Sequence, residues 1–146
     1  MDSYTFNHQF LCKLLGICAN HAIIEEAYKT QETIQNITEL VRYIYDPRKG
    51  TILLEEEFKA TKNYIRIHNM RGMNKTISLE KHGDDSADKY ICHLSILRHI
   101  IEDIEDRHSD SEENIEDKYI FDCHESEIEL KKEPGNIRIA CIKLEN

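Results

Sequence analysis

Between residues 27 and 44 the apolar side chains Ala27, Ile34, Ile37, Val41 and Ile44 recur at steps of seven, three, four and three. That spacing commits the segment to a helix packed along its length against other helices, because the 3.6-residue turn brings such positions onto one face. The preceding segment carries a wider stripe, with Phe10, Leu14, Ile17 and His21 in one row and Leu11, Leu15, Cys18 and Ala22 beside it. A short link near Ile23–Glu26 joins the two, which predicts an antiparallel helical hairpin. Pro47 and Gly50 stop the second helix. Thr51 is placed to cap a third, with Leu54, Phe58, Thr61 and Ile65 on its buried side.

The pattern changes at Gly72. TISLE (76–80) alternates like a short strand, and HGDDSADK (82–89) reads as a polar loop. Residues 90–107 return to helix, with Leu94, Leu97, Ile101 and Ile104 in register. KYIFDC (118–123) and IELKKE (128–133) alternate as strands, Pro134-Gly135-Asn136 is a turn, and IRIACIKLE (137–145) is a further strand. Helices first and mixed elements later imply an α+β protein in two parts. Residues 1–71 form the hairpin with its connector, and 72–146 form a small α/β lobe.

Charge and composition narrow the function. The 146 residues carry 19 basic and 28 acidic groups, a net charge of −9, and no dense basic patch, which disfavours nucleic acid as a partner. The acid is concentrated in EDIEDRHSDSEENIED (102–117), the mark of a solvated helix end running into a loop. No apolar run reaches the length of a membrane span, so a soluble chain is expected. The five cysteines lack a paired spacing, which fits reduced thiols in a cytoplasmic protein. His93 and His99 stand six apart, too far for shared ligation on a helix.

Residues 54–71, LEEEFKATKNYIRIHNMR, resemble the helix that joins the dimerisation helices to the ATP-binding domain in LytS-type sensor histidine kinases. Leu54, Glu56, Glu57 and Phe58 open the family pattern, Asn63, Tyr64, Ile65, Ile67 and His68 carry it, and Arg71 closes it. The resemblance implies a dimeric four-helix bundle, with Leu14, Ile34, Ile37, Val41 and Ile44 in the dimer core. It also implies a lobe that holds Mg²⁺-ATP in the family.

Set in that register, the chemical positions are altered. The family's phosphoacceptor box is Asn-Pro-His-Phe-Leu-Phe-Asn, and NHQFLCK (7–13) matches it at Asn7, Phe10 and Leu11 but has Gln9 in place of the histidine. An imidazole nitrogen is a neutral nucleophile near pH 7, whereas a carboxamide nitrogen is delocalised into its carbonyl. His8, one position away, is either an ordinary histidine or a shifted acceptor. In HLSILRHIIEDIEDR (93–107), Glu102 matches the glutamate of the family's ATP box and Asp103 replaces its metal-binding asparagine. Asp103 is either a Mg²⁺ ligand through oxygen or part of an acidic helix end. The family's histidine lies one position from His108. At Leu144-Glu145-Asn146, Glu145 stands nearest to the family's adenine-reading aspartate, and no glycine-rich box follows. The resemblance therefore implies a degenerate kinase core without a nucleotide cofactor. Its expected partners are a second copy or an intact histidine kinase, with a LytTR-type response regulator as a further candidate. The alternative is a phosphotransferase that uses His8.

Overall fold

A computed structural model of the chain describes residues 3–46, 50–70, 76–83, 88–106 and 116–145, with side chains from His8 onward. Pro47, Arg71 and His108, singled out in the sequence, lie outside the described residues. Helix α1 (Ser3–Ile24) and helix α2 (Tyr28–Ile44) form the expected antiparallel hairpin. Glu26 turns the chain with φ 57°, and the Ala27 N–H donates to the Ala22 carbonyl at 2.8 Å. Apolar residues lie on most sides of α1, yet among the described residues it is covered chiefly on its α2 side. Ala22 is buried, while Phe10, Leu14 and Ile17 are 52%, 43% and 47% exposed. Ile34, Ile37, Val41 and Ile44 are half-buried along α2.

Strand β1 (Thr51–Leu53) follows, and helix α3 (Leu54–Asn69) begins directly from it. Thr51 does not cap α3. Ile52 is drawn inside by β1's pairing with strand β3 (Tyr90–Cys92), so the backbone stays extended through Leu53. The Thr51 hydroxyl instead donates to Glu145. Three glutamates, Glu55, Glu56 and Glu57, occupy the first turn of α3, where the positive end of the helix dipole favours them.

The main sheet contains β2 (Ile77–Gly83), β4 (Asp117–Cys123), β5 (Glu127–Glu133) and β6 (Ile137–Lys143) in the order β2-β4-β5-β6. Strands β2 and β4 are parallel and the other pairs antiparallel. A parallel pair needs a crossover, and helix α4 (Ser95–Glu105) lies within it. Residues 90–92 are therefore strand, and the helix starts later than the apolar pattern suggested. Its buried residues are Ile96, Leu97, Ile100 and Ile104, so Leu94 and Ile101 are corrected to half-buried positions. Leu94 takes a left-handed conformation, φ 66°, which rotates the first turn away from the expected face.

One core joins these parts. Ile52, Leu54, Phe58 and Ile65 from β1 and α3 meet Ile96, Ile100 and Ile104 from α4 and Tyr119, Phe121, Ile128 and Leu130 from the sheet. The Phe58 and Phe121 rings meet edge to face with centroids 5.1 Å apart. The opposite face of the sheet is charged, as expected of a sheet solvated on one side.

Gly83 ends β2 at φ 88°, and a Cβ built there would stand 2.2 Å from the Cys123 carbonyl oxygen. Neither the backbone angle nor that oxygen can yield cheaply. Gly83→Ala should cost about 3 kcal/mol by adding backbone strain to a clash. Urea unfolding of the variant beside the natural chain measures that loss.

Candidate functional site

The N-terminal part of α1 presents two neighbouring side chains differently, because one residue turns a helix by about 100°. Gln9 is exposed. His8 is half-buried and turned onto α2, where its ring stacks on Tyr45 with centroids 5.7 Å apart and planes 29° apart. Its Nε2 is buried without a hydrogen-bond partner. The imidazole thus lies against the hairpin, and the carboxamide is the group presented to solvent.

The candidate residues of the lobe also separate. Glu102 is exposed on α4. Asp103 faces the sheet, where its Oδ2 accepts from the Tyr119 hydroxyl and lies 3.2 Å from Lys132 Nζ. Lys132 is 1% exposed, and its ammonium is also 3.2 Å from Asp117. Alternation along β5 sends Ile128, Leu130 and Lys132 inward, so a lysine occupies a core position.

Between the hairpin and the lobe sits a buried carboxylate that accepts four hydrogen bonds. Glu57 has no exposed surface. Its Oε1 accepts from the backbone N–H groups of Ile96 and Leu97 at 2.9 and 2.8 Å, and its Oε2 from that of Leu94 at 3.2 Å. These are the N-cap and first-turn donors of α4, which no local side chain caps. The Tyr43 hydroxyl donates to Oε2 as well. His93 Nε2 donates to the Tyr43 carbonyl at 2.7 Å, and the two rings meet edge-on. Burial raises the Glu57 pKa above the ordinary 4.5, opposed by the Leu97, Ile96 and Leu94 N–H groups and by His93. Glu57 lies three residues after Leu54 and four before Thr61, on the stripe already assigned to the buried side of α3. That position was the available signal for its role.

On the charged face of the sheet, Asp122, His124 and Glu129 place one ligand atom each within 4.8 Å of one another. Lys131 already neutralises both carboxylates, at 2.8 Å from Asp122 and 3.4 Å from Glu129. Its hydrogen bond is the main cause of the lowered Asp122 pKa. The arrangement is a partly exposed ion-pair network in which the lysine already occupies the carboxylates.

Residues 3–77, from the start of α1 to the first residue of β2, match the family described as histidine kinase. The match covers just over half of the chain. The chain belongs to the histidine kinase family. No curated protein matches it. Membership gives this histidine kinase relative a role connected with histidine-kinase signalling, and the matched residues contain both the Gln9 region and Glu57. No helix among the described residues is long and apolar enough to cross a membrane.

Removing Glu57 leaves buried N–H donors without an acceptor. Glu57→Ala should lower stability by about 3 kcal/mol near neutral pH, read from denaturant unfolding. The raised pKa also fixes a sign. The native state keeps this proton to higher pH than the unfolded chain, so the contribution is full below 4.5 and is lost as pH rises through the raised value. Glu57→Gln does not titrate. The natural chain should therefore lose stability relative to Glu57→Gln as pH climbs above about 4.5. A relative gain over that interval would contradict the assignment.

Proposed function

We propose that this chain is a regulatory member of a two-component signalling system, a degenerate LytS-type core that pairs through its hairpin and does not itself accept phosphate. The observation that carries the reading is the pair of neighbours on α1. A non-nucleophilic carboxamide is exposed at the acceptor position, and the adjacent imidazole is stacked on Tyr45. In-line transfer needs a nucleophile aligned with the phosphorus, and small misplacements are costly. The second element of the proposal is dimerisation. Phe10, Leu14 and Ile17 leave an apolar strip on the uncovered side of α1, of the kind a bundle partner covers. The partner is a second copy or an intact kinase of the same family. A response regulator of the LytTR type is a further binding partner through the same bundle.

Light scattering should give twice the 17.2 kDa chain mass for the isolated protein at micromolar concentration. Leu14→Glu changes a surface residue of the single chain, so it should leave the fold intact while weakening association roughly thirtyfold or more. A monomeric natural chain, or a variant that associates unchanged, would remove the bundle from the proposal.

The chemistry is tested by incubating the chain with an intact LytS-type kinase and ATP, then mapping phosphohistidine by mass spectrometry under non-acidic conditions. The natural chain should stay unlabelled, and Gln9→His should gain label in a mixed dimer because the partner supplies the donor site. Label on His8 of the natural chain would replace this reading with the phosphotransferase alternative.

A further inference from the structure

We propose that Lys132 is a tethered cation that occupies the position where Asp103 would otherwise hold a divalent metal, so that metal and ammonium exclude each other. The inference rests on the family register in one respect, the match of Asp103 to a metal-binding asparagine. The geometry is the chain's own. Lys132 Nζ lies 3.2 Å from Asp103 on α4 and 3.2 Å from Asp117 on β4. The Tyr119 ring centroid is 5.3 Å away. The side chain is 2% exposed, so bulk water hardly reaches this ammonium.

A buried ammonium is tolerable only when carboxylates compensate it. Here the compensation is mutual, because Asp103 and Asp117 come from different elements and converge on one point. A metal drawn to the same oxygens would need them at about 2.0–2.6 Å and would bring a second positive charge beside the first. Lys132 would have to leave, and its inward position on β5, with the side chain 2% exposed, opposes that movement. The Tyr119 hydroxyl further restricts Asp103 by donating to Oδ2. The family's metal therefore does not fit the residues present at Asp103. Covalent attachment also spares the lysine the association entropy that a free ion loses on binding. The fixed charge thus ties α4 to β4 and β5 with no dependence on nucleotide or metal.

The test is to remove the ammonium and ask whether a metal takes its place. Lys132→Met keeps the chain length and apolar stem while leaving two carboxylates around a vacated point. Thermal unfolding is followed in millimolar Mg²⁺ or Ca²⁺ against NaCl of equal ionic strength. The natural chain should show no cation-specific shift. Lys132→Met should melt lower without divalent ions and recover by ~4 °C or more, saturably, when they are added. Adding Asp103→Ala, which removes the ligand oxygens altogether, should abolish most of that recovery. If Lys132→Met is unfolded without divalent ions, refolding on addition of Ca²⁺ supports the proposal and failure to refold overturns it. A folded variant that ignores divalent ions also overturns it.

A second measurement needs only the natural chain. Mn²⁺ should leave the nuclear resonances of Tyr119 and Ile104 sharp, and selective broadening of them would show a metal beside the lysine and sink the idea. Light scattering on the same samples reports dimerisation separately. A monomer with the expected cation behaviour would remove the regulatory bundle and leave this inference standing.

Discussion

The Glu57 carboxylate on the first turn of α4 is the constraint from which the arrangement of the lobe follows. A helix that starts inside a core leaves N–H groups that water cannot reach, and α4 brings no Ser, Thr, Asp or Asn at its N-cap. Leu94 occupies that place in a left-handed conformation that costs about 1–3 kcal/mol. Glu57 offsets this by accepting from three backbone donors thirty-seven to forty residues away. With its N-terminus fixed, α4 lays Ile96, Ile100 and Ile104 against Tyr119 and Phe121, and the sheet is positioned in turn. The Tyr43 hydroxyl joins the same carboxylate, so the end of α2 is referred to the same point.

Two adjacent lysines show how strongly location decides what a charge does. Lys131 points outward and shares Asp122 and Glu129 with His124 and Arg138 around it. Water and salt screen that network, so each of its pairs is worth little to stability. Lys132 points inward to Asp103 and Asp117, and its charge would be stranded in the core without them. One residue of register along β5 separates an exchangeable surface contact from a structural requirement.

Much of the architecture was legible because its signals are periodic. The spacing of Ile34, Ile37, Val41 and Ile44 gave the second helix, and alternation gave β4, β5, β6 and the Pro134–Asn136 turn between the last two. Strands β1 and β3 escaped because three residues are too few for alternation to stand out, and each exists through the other. The buried face of α4 shifted because Leu94 adopts a backbone conformation that apolar spacing does not encode. Glu57 and Lys132 both lay on inward positions of correctly read elements. Their charge concealed them, since ionised residues ordinarily belong outside and only tertiary partners reverse that expectation. That Gln9 stands where the resemblance expects an acceptor histidine is a matter of residue identity alone. The stacking of His8 on Tyr45 is not, because it depends on how closely the two helices approach.

The unequal cover of the hairpin has a consequence for local stability. Helix α2 lies between α1 and α3, whereas α1 rests chiefly on α2 and contributes one buried apolar residue, Ala22, among those described. Opening α1 therefore exposes little that was dry, and its backbone amides should exchange with solvent far sooner than those of α4 or β4. A partner that covered the outer side of α1 would raise its protection in step with the partner's own concentration. The segment that presents Gln9 is thus the part of the hairpin that the chain's own core holds least.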